Sequence, residues 1–90
     1  MNDQEIKNAI VEKMLRKRVL GGKNQQIQTV VGYSVPTHAE GRAKNLIDNL
    51  VQAGVVEKYG GTRGTIRLTD AETAVEYLKD NGGNPPFPFD

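Results

Sequence analysis

Thr37–Thr69, THAEGRAKNLIDNLVQAGVVEKYGGTRGTIRLT, is the stretch whose reading decides the fold. Ala39, Ala43, Leu46, Ile47, Leu50 and Val51 recur at helical spacing, so one side of a long helix is apolar. Gly54 supplies its stop, since glycine enters the left-handed terminal conformation without a Cβ clash. Val55 and Val56 open a β-branched run, Tyr59-Gly60-Gly61-Thr62-Arg63-Gly64 turns it, and Thr65 to Thr69 returns with alternating Ile66 and Leu68. The pattern predicts a helix leading straight into a basic-tipped hairpin.

The segment LVQAGVVEKYGGTRGTIRLTD resembles the end of the recognition helix and the wing of the LexA-type repressors. The junction residues are Leu50, Gly54, Val55, Val56 and Glu57, followed by Arg63-Gly64 and Ile66-Arg67-Leu68. The resemblance extends more loosely to prokaryotic winged-helix regulators. It implies an α+β fold, a winged helix with a three-helix helix-turn-helix core, a two-stranded β-hairpin wing and an additional C-terminal helix. The interval from Gly32 to Gly54 is longer than in that family by about one helical turn, read as an extra turn of helix or a wider connection. Base-reading positions are therefore not transferred from the family onto this helix. Winged helices also bind RNA and proteins, so the resemblance speaks to fold more than to role.

Ninety residues form one small domain, 1–83, followed by a tail, 84–90, rich in proline and phenylalanine. The chain has no cysteine and one histidine, so neither a disulfide framework nor a thiolate metal site is expected, and no cofactor. It has no apolar run near the ~20 residues of a membrane span, which predicts a cytoplasmic protein. Charge is segregated: residues 1–69 carry 11 Lys/Arg against 6 Asp/Glu (+5), residues 70–90 carry 1 against 5 (−4). A basic body with an acidic end suits a polyanion partner, with scattered solvated charge as the plainer reading.

Outside the central stretch, the periodicity predicts a first helix from Asp3, acting as cap, to about Arg18, with Lys13, Arg16, Lys17 and Arg18 near its end. Those cations either complement the helix dipole or touch phosphates, the dipole being the favoured reading. Val19 to Lys23 forms a connection that can hold a two-residue strand. A short second helix, Gln25 to Val31, is expected with Asn24 as cap and Gly32 as stop. The pattern Thr37-x-x-Glu40 predicts a capping box at the third helix, with a start at Ser34 as the alternative. Thr69 or Asp70 caps a fourth helix that ends at Asn81-Gly82-Gly83.

Opposite the apolar stripe of the third helix lie His38, Gly41, Asn45, Asp48 and Gln52. Amide and guanidinium side chains read base edges in the major groove, chiefly from the N-terminal half of a recognition helix. Thr37, His38, Arg42, Lys44 and Asn45 on a helix of about 37–53 are the candidate contacts there. Lys58, Tyr59, Thr62 and Arg63, with Arg67 as a further cation, are the candidates on a wing of about 57–67. Gly41 either lets a sugar-phosphate backbone approach or is a tolerated surface glycine. Asp48 would repel phosphate and is expected to pair with Lys44 or Arg42. No activated nucleophile, paired carboxylates or metal cluster suggests an enzyme. The expected partner is double-stranded DNA, bound by a small regulator, with a homodimer through the first and fourth helices. The alternative is a protein-interaction module whose Pro/Phe tail docks into a partner, against a tail folded back on its own core.

Overall fold

The computed structural model describes residues 1–60, 64–86 and 88. They form an α+β fold of four helices and a small three-stranded antiparallel sheet. In chain order the elements are α1 (Asp3–Arg16), β1 (Gln25–Gln26), α2 (Ile27–Ser34), a 3₁₀ turn (Thr37–Ala39), α3 (Glu40–Gln52), β2 (Val56–Tyr59), β3 (Thr65–Leu68) and α4 (Ala71–Asp80). The sheet order is β1-β3-β2. Ile10, Met14 and Leu15 of α1, Val30 and Val31 of α2, Leu46 and Leu50 of α3, Ile66 and Leu68 of β3 and Leu78 of α4 are buried in one core. No charged or polar residue is buried among the described residues. None of their helices is long and apolar enough to cross a membrane.

Helix ends differ from the sequence expectation in instructive ways. The cap of α1 is Asn2, not Asp3: Glu5 N–H donates to Asn2 Oδ1 at 2.8 Å and Asn2 N–H donates to Glu5 Oε1 at 2.9 Å. Asn2 has a glutamate three residues on and Asp3 has Ile6, so only Asn2 can close the reciprocal box. The helix ends at Arg16, and Arg18 beyond it takes the left-handed conformation at φ 54°. Val19 N–H donates to Met14 O at 2.9 Å, closing the helix end in the manner usually given to glycine. The anticipated short strand near Val19 appears as a single bridge, Leu20 to Leu68.

Asn24 caps nothing in α2. Gln25 and Gln26 are extended and paired with Ile66 and Thr65 of β3, which delays the helix to Ile27. Ile27 N–H donates to Gly64 O at 3.2 Å where a side-chain cap would act. Gly32 does not stop the helix either. The stop is Val35, pushed to φ −136° and ψ 159° by Pro36. A 3₁₀ turn then leads into α3, so the long Gly32–Gly54 interval contains a wide connection. The Thr37-x-x-Glu40 box does not form: no side chain caps the turn or α3, and Glu40 instead accepts from Gln28 Nε2 at 3.1 Å.

At the other end of α3 the expectation holds. Gly54 is left-handed at φ 79°, and Val55 N–H returns to Leu50 O at 3.1 Å. Strand β2 follows at once and pairs antiparallel with β3, Val56 opposite Leu68 and Tyr59 opposite Thr65. Asp70, one of the two anticipated caps of α4, accepts from Thr73 N–H at 2.7 Å. Past α4, Gly83 N–H donates to Leu78 O at 2.7 Å, Asn84 N–H donates to Glu12 Oε1 at 3.0 Å, and Pro86 is buried. The start of the tail thus lies along α1. Phe87 and Phe89, the tail residues expected to dock into a partner or fold back on the core, lie outside the described residues.

Candidate functional site

Helix α3 buries Ala43, Leu46, Ile47 and Leu50, which leaves Gly41, Asn45, Asp48 and Gln52 along its outward line. Thr37, His38, Arg42, Lys44, Asn45 and Asn49 are exposed beside them. Thr37 and His38 sit in the 3₁₀ turn before the helix rather than in its first turn. Gly41 has open space where a Cβ would stand, with no atom within 4 Å. The side chains expected on this surface are therefore all presented to solvent.

Arg42 is already engaged. Its Nε donates to Asp3 Oδ1 at 2.9 Å and its Nη2 to Asp3 Oδ2 at 2.5 Å, a fork that ties α3 to the first turn of α1. The hydrogen bonds from Arg42, followed by its charge and that of Lys7, hold the Asp3 carboxyl below its usual 3.8. Both side chains remain about half exposed, 54 % and 50 %, so the pair can open to another anion at little cost.

Asp48 does not pair with Lys44 or Arg42, the partners expected from the sequence. Its Oδ1 lies 3.4 Å from Lys58 Nζ of β2. The reason is the short connection at Gly54: β2 runs back beside α3, and Lys58 shares the inward face of the strand with Val56. A Lys four residues before an Asp is also the weaker helical arrangement.

Alternation along β2 places Tyr59 on the opposite, outer face from Lys58. There Arg67 makes a closed network, donating from Nε to Glu57 Oε1 at 3.1 Å, from Nη1 to Gly21 O at 2.5 Å and from Nη2 to Tyr59 Oη at 2.7 Å. Its guanidinium also lies 5.1 Å from the Tyr59 ring centre. Lys58 and Tyr59 thus serve different faces of the sheet, and only Lys58 stands beside α3. Thr62 and Arg63 lie outside the described residues. Gly60, just before them, is left-handed at φ 83°, and a Cβ there would stand 3.3 Å from Gly64 Cα.

Sequence reasoning places cations at the C-terminal end of α1, but not Lys23 among them nor the contacts that hold them. Lys17 Nζ lies 4.8 Å above the Tyr33 ring, and Tyr33 Oη donates to Gln25 Oε1 at 2.6 Å. Burial pushes the Tyr33 phenol up to about 12, so it stays neutral and keeps donating. Lys23 Nζ donates to Lys17 O at 3.1 Å. No local spacing signals these contacts. Among the described residues no group of three His, Cys, Asp or Glu is placed to hold a metal ion.

No protein-family model, curated protein or solved structure matches the chain.

Proposed function

We propose that this chain is a winged helix that binds double-stranded DNA sequence-specifically, as a small cytoplasmic transcriptional regulator. The observation that carries the reading is the outward side of α3, where Asn45 and its neighbours stand exposed on a helix beside the β2–β3 pair. In this reading α3 enters the major groove, with Thr37, His38, Arg42, Lys44 and Asn45 toward base edges and adjacent phosphates. Strands β2 and β3 form the wing, which brings Lys58, Tyr59, Thr62 and Arg63 to the flanking backbone or minor groove. Phosphate contacts supply affinity and base contacts supply preference. A protein of this size has few contacts, so a homodimer on a two-fold site, through α1 and α4, completes the proposal.

Selection from a randomised duplex pool tests it. Asn45→Ala should relax preference at one base position, by about 1–3 kcal/mol, and leave the other positions intact. A variant that keeps full preference everywhere would remove Asn45 from base readout.

A second reading, a protein-interaction module, draws on the pairing of Arg42, Lys58 and Arg67 with carboxylates and on the net charge of +1. Deleting residues 84–90 separates the two readings. Loss of partner capture with unchanged duplex affinity supports the module.

A further inference from the structure

Among the described residues Lys44 is the one cation of α3 without a carboxylate partner, and several more stand together at the C-terminal end of α1. On α3 and the sheet, Arg42, Lys58 and Arg67 each face a carboxylate. At the C-terminal end of α1, Arg16, Lys17 and Lys23 are exposed, and none of them has a carboxylate partner among the described residues. Lys17 and Lys23 are also held in place. Lys17 rests on the Tyr33 ring, Tyr33 is fixed by Gln25, and Lys23 is anchored on the Lys17 carbonyl. Ordering these long side chains in advance lowers the entropy lost when an anion binds. Arg16 lies in the last helical turn, where it also complements the dipole, but Lys17 and Lys23 lie beyond that turn.

Helix α2 links this cluster to α3. Tyr33 of α2 carries Lys17, and Gln28 of α2 holds Glu40 at the start of α3. We infer that Arg16, Lys17 and Lys23 form a second phosphate-contacting surface, which grips the sugar-phosphate backbone of the same duplex that α3 reads. This inference rests on the duplex-binding reading. It assigns non-specific affinity largely to the end of α1, while α3 keeps sequence preference.

The test is the salt dependence of binding to a selected duplex and to a scrambled one. It compares the wild-type chain with the triple variant Arg16→Gln, Lys17→Gln, Lys23→Gln. Each phosphate contact contributes about 0.9 to the log–log slope, so the triple variant should be shallower by about 2.7. The ratio of selected to scrambled affinity should stay unchanged. Lys7→Gln with Lys79→Gln, a control that also removes positive charge, should leave the slope as it is. Thermal melts by circular dichroism establish that each variant is folded. A salt-dependent wild type whose slope survives in the folded triple variant overturns the second surface and leaves duplex recognition standing. A wild type with no salt-dependent duplex binding overturns both.

Discussion

Arg42 can serve Asp3 or a duplex, but not both at once. In the unbound protein its fork closes on the Asp3 carboxylate. Exposed pairs of this kind are weak, so the competition is open. Asp3→Asn should free the guanidinium and tighten duplex binding by up to about fivefold, read by fluorescence anisotropy at constant salt. No change would place Arg42 outside the interface. The pair also has a pH signature. Because the folded pKa of Asp3 is lowered, its contribution to stability is present above the usual carboxylate range and is lost as pH falls through the lowered value. In Arg42→Ala, carboxyl NMR should show Asp3 titrating at higher pH than in the wild type; an unmoved titration would deny the pair in solution. None of this was legible in the sequence. Asp3 and Arg42 are 39 residues apart, and which carboxylate meets which cation is decided by how α1 crosses α3. The same holds for Asp48, whose local partners lost to Lys58 on the neighbouring strand.

At the scale of elements, α3 and its stop were the easiest part to read. The apolar stripe repeats over several turns, and Gly54 answers a strictly local demand for positive φ. Gly54→Ala should cost about 1–2 kcal/mol, and each 1 kcal/mol lowers the melting temperature by about 4–8 °C. An unchanged melt would contradict the left-handed stop. Gly41 is the opposite case, a helical glycine with open space around it. Gly41→Ala should raise stability by about 1 kcal/mol in urea unfolding, yet weaken duplex binding if the backbone passes close to it. Raised stability with unaltered affinity would mark it as an ordinary surface glycine. Element boundaries were read less well, because they are settled by distant partners. Gln25 and Gln26 look helical by local pattern but are claimed by β3. The Thr37–Glu40 box looks complete in sequence but loses Glu40 to Gln28 on α2.

For the whole molecule, shape limits what one copy can read. The principal extents are 31 × 30 × 21 Å, slightly less than the roughly 34–36 Å of one duplex turn. A single copy should therefore protect about one turn. A dimer should select two half-sites related by two-fold symmetry and centred about 10 bp, or a multiple of it, apart. Footprinting together with sedimentation checks this, and a monomer protecting two full turns would contradict it. Among the described residues the only large apolar side chains left exposed are Met1 and Tyr59. Any contact between copies through the described faces of α1 and α4 must therefore be mainly polar. Composition showed the charge segregation between the body and the C-terminal end of the chain. Its three-dimensional counterpart, Arg42, Lys58 and Arg67 paired with carboxylates while Arg16, Lys17 and Lys23 are not, required the tertiary fold.

The most direct measurement of duplex recognition is titration of the purified chain against a selected duplex and a scrambled duplex across salt concentrations. The account predicts tighter binding to the selected sequence at every salt, and a log–log slope of about −4.5 for five phosphate contacts. Equal affinity for the two sequences, or a slope near zero, would contradict it.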